Sequence, residues 1–176
     1  MALRDARVAK RDSSDKPFGM GGNDVLDGGT GKDNDTLDGG TGNDVLKGGR
    51  GRDWLYGRGG ADVLKGGPGN DKLYGNGGRD RLHGQAGNDK LYGHNGKDKL
   101  YGNGGKDKLY GGKGKDKLYG GKGRDLLVGG AKKDVLNGGK GKDKAKKPGP
   151  DVLVSIEITV GPGGIFSPNS LAPHSA

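Results

Sequence analysis

The sequence has no cysteine, few aromatic residues and no long apolar run. Of its 176 residues, 28% are hydrophobic and 5% are aromatic. Without cysteine, disulfide bonds and thiolate metal sites are excluded. No stretch approaches the roughly 20 apolar residues of a transmembrane helix. Residues 1–16 lack the apolar segment of a standard N-terminal signal peptide. We therefore expect neither a membrane span nor an ordinary globular core.

Glycine, in contrast, is abundant and recurs with a fixed period. There are 43 glycines, but collagen needs one at every third residue, and here the period is nine. Between residues 39 and 146 a nonapeptide occurs twelve times, with aspartate always at position six. These aspartates are Asp44, Asp53, Asp62, Asp71, Asp80, Asp89, Asp98, Asp107, Asp116, Asp125, Asp134 and Asp143.

The other invariant positions predict the shape of each unit. Position one is always Gly, position four is Gly except at Lys132, and position eight is Leu except at the last unit. Glycine tolerates positive φ, and Asn76, His94 and Asn103 at position two are of types enriched there. Positions one to six are thus predicted to form a turn, and positions seven to nine a three-residue strand with Leu inward. Stacking alternate units gives an all-β parallel solenoid with two short strands per 18-residue coil.

The flanking residues divide the chain into three parts. Residues 1–18 are predicted to be a flexible leader, 19–147 the solenoid, and 148–176 a capping strand over 152–160 followed by a loose tail. The first repeat-like unit contains Asp24 at position six. The next has a two-residue insertion, so either Asp33 or Asp35 can occupy that position.

Stacked aspartates create an energetic problem that a cation solves. Burying one Leu contributes roughly 1.5–3 kcal/mol, whereas ordering nine backbone residues costs about 1–2 kcal/mol each. Carboxylates stacked on one another also repel. Calcium takes 6–8 oxygens from carboxylates and backbone carbonyls in flexible geometry, and magnesium fits less well because it keeps its waters. A metal that binds only the folded chain couples binding to folding.

The units match Gly-Gly-x-Gly-x-Asp-x-(large apolar)-x, and residues 19–146 thereby resemble the RTX (haemolysin-type calcium-binding) nonapeptide repeats. The resemblance implies a right-handed parallel β-roll that folds when several Ca²⁺ ions bind between stacked turns. It also implies an extracellular protein exported through an uncleaved C-terminal signal. Turn carbonyls and position-six carboxylates would bind the metal. The implied ligands are Asp24, Asp35, Asp44, Asp53, Asp62, Asp71, Asp80, Asp89, Asp98, Asp107, Asp116, Asp125 and Asp134.

Position five departs from the family pattern in the later repeats. It is Asn in several early units but Lys or Arg in every unit from Lys97 onward. One hypothesis is that calcium binds to residues 19–91, while the later repeats bind weakly or neutralise their aspartates with Lys and Arg. The alternative is that each Lys extends into water and leaves calcium binding intact.

The surface suggests a second function. The net charge is +9, and residues 97–147 carry 16 Lys and Arg against 6 Asp. All six Tyr lie at position nine, five of them beside Lys at position seven, and they are predicted to stack as ladders. Such a Lys and Tyr surface could bind an anionic polymer or polysaccharide. A disordered basic chain is a third interpretation. We find no catalytic constellation, so no enzyme activity is expected, and no motif indicates specific nucleic-acid binding.

Overall fold

The computed structural model describes residues 7–9, 18–146 and 150–155. These residues form sixteen parallel strands and no helix, so the predicted all-β parallel solenoid is confirmed. From the second strand onward, consecutive strands alternate between two sheets, because each turn carries the chain from one sheet to the other. None of the described residues belongs to a helix that is long and apolar enough to cross a membrane.

The two sheets face each other across the core. The nine-stranded sheet contains, in spatial order, β1 (Arg7–Ala9), β2 (Val25–Asp27), β4 (Val45–Lys47), β6 (Val63–Pro68), β8 (Arg81–Ala86), β10 (Lys99–Gly105), β12 (Lys117–Gly123), β14 (Val135–Lys140) and β16 (Val152–Val154). The seven-stranded sheet contains β3 (Thr36–Asp38), β5 (Trp54–Gly60), β7 (Lys72–Gly78), β9 (Lys90–Gly96), β11 (Lys108–Lys113), β13 (Leu126–Ala131) and β15 (Lys144–Lys146).

A single file of leucines from each sheet fills the space between them. Every position-eight Leu from Leu26 to Leu136 is 0% exposed, and Ala145 completes the series. The strand register keeps each Leu on the Leu of the next coil in its sheet, as in Leu100↔Leu118. Because strand side chains alternate between faces, positions seven and nine point outward. The core is therefore one leucine deep on each side, which leaves little apolar burial per coil.

The strands are longer than predicted in the middle of the molecule. Three residues is the right length for β2, β3 and β4, but β5 to β14 have six or seven. The turn residues at positions two to four also pair with the same positions one coil away, as in Asn103↔Gly121. Position-two side chains adopt the predicted positive φ, which is 72° at Asn76 and His94 and 74° at Asn103. The turns thus stack in register like the strands.

The ends of the solenoid differ from the sequence-based expectation. Residues Arg7–Ala9, within the predicted leader, form β1 and pair in parallel with β2. This short strand carries no repeat signature, so the sequence did not indicate it. At the other end β16 pairs with β14, and Leu153 packs against the core. The remaining part of the strand predicted over 152–160 lies outside the described residues.

The tyrosines form the two predicted ladders on the outer surfaces. Tyr56, Tyr74, Tyr92 and Tyr110 stack on the seven-stranded sheet with ring centroids 4.9–5.0 Å apart. Tyr101 stacks on Tyr119 at 5.0 Å on the other sheet. The parallel, in-register pairing places identical positions one above another, which is why each ladder is continuous.

Candidate metal centre

Every coil buries its position-six aspartate at the junction of turn and strand. All the aspartates predicted as ligands, from Asp24 to Asp134, are at most 3% exposed, and Asp143 is 0% exposed. From Asp44 to Asp143, the Oδ1 atom of each position-six aspartate accepts a hydrogen bond from the backbone N–H of the aspartate one coil earlier in the same sheet. Asp71 N donates to Asp89 Oδ1 at 2.8 Å, and Asp98 N donates to Asp116 Oδ1 at 2.9 Å. The aspartates therefore form two continuous buried ladders.

The second carboxylate oxygen, Oδ2, has a different environment from Oδ1. In most coils Oδ2 is buried and has no hydrogen-bond donor among the described residues. This holds for Asp44, Asp62, Asp71, Asp80, Asp89, Asp98, Asp107, Asp116, Asp125, Asp134, Asp143 and Asp151. A buried carboxylate oxygen that has neither a counter-charge nor a donor is costly. The repetition of such an oxygen along both ladders is not explained by packing of the polypeptide alone.

The glycine at position one explains where Oδ2 lies. A Cβ added at Gly93 would be 2.6 Å from Asp98 Oδ2 and 2.6 Å from the carbonyl oxygen of Gly111 in the next coil. At Gly120 the corresponding distances, to Asp125 Oδ2 and to the next coil's glycine carbonyl, are both 2.5 Å. Any side chain at position one would collide with these atoms. The invariant glycine thus makes room for two acceptor oxygens from two successive coils.

Burial makes these carboxylates reluctant to ionise. Desolvation, together with repulsion from neighbouring aspartates, raises the pKa of Asp71 and Asp80 to about 7, although a backbone hydrogen bond opposes it. The pKa of Asp107 and Asp116 is raised to about 7 for the same reasons. A cation that supplied positive charge would reverse this shift, since a nearby opposite charge favours the carboxylate.

The available donors suit a hard cation. Each coil offers carboxylate oxygens and glycine carbonyls, with no sulfur or imidazole among them. Calcium prefers such all-oxygen sets and accepts irregular geometry. No three Asp, Glu, His or Cys side chains converge among residues 7–9, 18–146 and 150–155. A bound ion would therefore rely on backbone carbonyls for many of its ligands, which is what a glycine-rich turn supplies.

In the irregular second unit, Asp35 occupies the ladder position. Asp35 is 3% exposed, and its backbone N–H donates to Asp53 Oδ1 at 2.8 Å, while Asp33 is half-buried. The two inserted residues lie in the turn between β2 and β3, so the ladder spacing across the insertion is 20 residues instead of 18, as in Asp24 N to Asp44 Oδ1. The insertion lengthens one turn without breaking the ladder.

The sequence analysis missed one member of the ladder, Asp151. Its Oδ1 accepts from the backbone N–H of Asp134 at 3.1 Å, and its side chain is 8% exposed. The carbonyl oxygen of Ser155 lies next to Gly138, in the place that the carbonyl of the next coil's position-one glycine takes elsewhere. The run Asp-Val-Leu-Val at 151–154 repeats positions six to nine. That match was the available signal, hidden because no glycine turn precedes it.

The later lysines do not neutralise the ladder directly. In the repeats after residue 96, no Lys or Arg at position five or seven forms an ion pair with a position-six aspartate among the described residues. Two ion pairs join outward-facing groups in the first coils: Lys47 pairs with Asp27, and Arg58 pairs with Asp38. This geometry favours the interpretation in which the later lysines extend into water. Whether those repeats bind calcium more weakly stays a hypothesis.

Comparison with known families agrees with the site. The family model described as "RTX calcium-binding nonapeptide repeat (4 copies)" matches the chain along most of its length. The matched segments are residues 18–34, 30–64, 56–91, 65–100, 92–127 and 119–144. No curated protein matches the chain. Repeats of this family bind calcium in a β-roll, and the stacked aspartates described above occupy its position six. The chain therefore belongs to the RTX calcium-binding nonapeptide-repeat family.

Proposed function

We propose that this protein is a calcium-dependent folding module that works outside the cell and has no catalytic role of its own. Its calcium ligands are the two aspartate ladders together with the carbonyls of the glycine turns. Without calcium the chain is largely unfolded; with calcium it forms the β-roll. Folding would then be switched by the calcium concentration of the surroundings.

The observation that carries this proposal is the buried Oδ2 atom repeated in nearly every coil. A single such group could be tolerated in a stable core, because the rest of the fold would offset its cost. Here each nonapeptide contributes one leucine and one buried carboxylate, so the unfavourable group recurs as often as the favourable one. A ligand that satisfies the carboxylate in every coil thus changes the balance for the whole solenoid.

The extracellular location follows from the affinity that such sites are expected to have. Extracellular calcium modules bind with a Kd of about 10⁻⁴–10⁻³ M, whereas cytosolic sensors bind far more tightly. The carboxylates here are held apart, one per coil in each ladder, and the rest of the donors are neutral carbonyls. Low ligand charge favours the weak end of this range. Such sites would load only where calcium is plentiful.

Circular dichroism of the full chain tests the proposal. We expect a coil-like far-UV spectrum in a chelator and a β spectrum at millimolar calcium, with a cooperative transition between them. Magnesium at the same concentration should not produce the change, because it dehydrates reluctantly. Potassium chloride at matched ionic strength controls for screening. A β spectrum that is unchanged by the chelator would disprove calcium-driven folding.

A further inference from the structure

The outer face of the nine-stranded sheet carries a cluster of cations that the metal site does not use. In three consecutive coils, the residues immediately before and after the buried aspartate are both Lys or Arg. We call this cluster the basic strip; it consists of Arg79, Arg81, Lys97, Lys99, Lys115 and Lys117. Five of the six are exposed and Lys99 is half-buried. They line a shallow cleft of about 260 Å³. The coil before it has Ala61 and Val63 at these two positions.

The charges of the basic strip are not compensated by the protein. None of the six forms an ion pair within the described part of the chain. The aspartates beneath them face the interior: Asp98 Oδ1 accepts from the backbone N–H of Asp80 at 2.9 Å, and its Oδ2 lies against Gly93. Parallel pairing puts like charges directly above one another, as in Arg81↔Lys99 and Lys99↔Lys117. Such stacking is repulsive, and an external polyanion would relieve it.

A third column beside the strip constrains what kind of polyanion fits. His83, Tyr101 and Tyr119 occupy position nine in the same three coils, and their ring centroids are 4.7 and 5.0 Å apart in stacked geometry. Tyr101 is covered by a ring on both faces, and the outer faces of His83 and Tyr119 adjoin Lys65 and Asn137 in the strand register, so the column presents mainly ring edges and polar atoms. Proteins that bind single-stranded nucleic acid without sequence preference stack bases on open aromatic faces. Edges and hydroxyls suit the hydroxyl groups of a sugar.

The spacing of the strip suits a sugar polymer. Each coil advances by one strand spacing, about 4.8 Å, which is close to the length that one pyranose ring adds to an extended polysaccharide. We propose that the basic strip binds a linear acidic polysaccharide with one negative group on each sugar, lying along the solenoid axis. The pair of cations in each coil would then meet one anionic group, and the Tyr hydroxyls and the His83 imidazole would hydrogen-bond the sugar hydroxyls. This partner goes beyond calcium binding, although the strip requires the folded roll.

The opposite sheet supplies a matched control surface. There Lys72, Lys90 and Lys108 occupy position seven in three consecutive coils. Their neighbours at position nine are Tyr74, Tyr92 and Tyr110, stacked as on the other face. Position five, however, is Asn70, Asn88 and Lys106. Two of these three coils therefore carry one cation beside the aspartate instead of two. The two faces share spacing and aromatic column and differ in cation density.

The experiment compares two triple variants of the full chain at saturating calcium. One carries Arg81→Gln, Lys99→Gln and Lys117→Gln; the other carries Lys72→Gln, Lys90→Gln and Lys108→Gln. Binding to chondroitin sulfate, which has one anionic group per sugar, is measured by calorimetry. We expect the first variant to bind at least about tenfold more weakly than the unmodified chain, and the second to lose less than about threefold. Circular dichroism confirms that both are folded.

Two measurements on the unmodified chain keep the proposal testable even if a variant misfolds. Affinity for chondroitin sulfate should fall steeply with salt, because bound counterions are released from the polymer. Chemically desulfated chondroitin, with half the charges, should bind more weakly. Equal losses in the two variants, salt-independent binding, or tighter binding of poly(dT) than of chondroitin sulfate would each overturn the proposal.

Discussion

The early coils, residues 19–91, and the late coils, residues 97–146, have the same interior and different exteriors. Inside, both keep the leucine file and the aspartate ladder, with the same hydrogen bond at 2.8 Å from Asp71 N to Asp89 Oδ1 and from Asp107 N to Asp125 Oδ1. Outside, position five changes from mostly Asn to Lys or Arg. The comparison shows that the buried aspartate ladder and the surface charge are determined by different positions of the repeat.

The exterior difference has its own structural consequence. In the early coils the position-five Asn Oδ1 accepts from the backbone N–H of position five one coil later, at 2.7 Å from Ala61 to Asn43 and from Asn88 to Asn70. Lys106 N still donates to Asn88 Oδ1 at 2.7 Å, but a Lys or Arg side chain cannot accept a hydrogen bond, so the position-five side chains from Lys97 onward cannot continue this series. The late turns have exchanged hydrogen bonds for a column of like charges.

The largest effect is expected for removing a core leucine in either region. Leu55→Ala and Leu109→Ala each delete a side chain that is 0% exposed, and each should cost about 2–5 kcal/mol in the free energy of unfolding at saturating calcium. The costs should be equal, because the interior is the same. Urea unfolding followed by circular dichroism measures them. A much smaller cost at Leu109 would show that the late coils are already loosened by their surface charge.

The comparison is tested more directly at the proposed metal ligands. Asp71→Asn and Asp107→Asn keep an amide oxygen for the ladder hydrogen bond but remove the charge. Both aspartates have a buried Oδ2 with no donor and a pKa raised to about 7. We expect the two variants to lose the same number of bound calcium ions, as measured by titration calorimetry of the full chain. A loss only in the Asp71 variant would instead establish the hypothesis that calcium binds to residues 19–91 and only weakly to the later repeats.

Much of this architecture could be predicted from the sequence, and the reason is repetition. A lone Gly-Gly-x-Gly-x-Asp is weak evidence, but twelve in register predict the coil length, the inward Leu and the in-register tyrosine ladders. The sequence left both Asp33 and Asp35 open, because Asp33 keeps the spacing from the preceding glycines and Asp35 keeps the spacing to Leu37, and burial separates them. Asp151 and β1 were missed because their coils lack the glycine turn on which the pattern depends. Strand length was underestimated because turn-to-turn pairing leaves no mark on hydrophobic periodicity.

A smaller effect, common to both regions, is expected from pH in the absence of metal. Burial raises the pKa of Asp71 and Asp107 from 3.8 to about 7. The folded chain then binds protons more tightly than the unfolded chain. This contribution is fully present below about pH 3.8 and is lost as the pH rises through about 7. In a chelator, acidification from pH 8 to pH 5 should therefore increase β structure in circular dichroism.

At saturating calcium the pH trend should reverse, because protons compete with the metal for the same carboxylates. If β structure in the chelator instead decreases on acidification, the buried carboxylates are ionised in the folded chain without metal. The ladder would then have another source of compensation in both regions.

The smallest effect concerns a defect confined to the late coils. Lys132 takes position four, where the other eleven repeats have Gly, and its φ is 81°. A non-glycine residue in this left-handed conformation costs roughly 1–2 kcal/mol, so Lys132→Gly should raise the free energy of unfolding by about 1 kcal/mol. Lys133→Gly is the matched control: it removes the same charge from the adjacent position, which is not among the residues with positive φ, and it should not stabilise. Urea unfolding at saturating calcium compares them. Equal stabilisation by both variants would attribute the gain to relief of surface repulsion, and the late coils would then be weakened by charge and not by backbone strain.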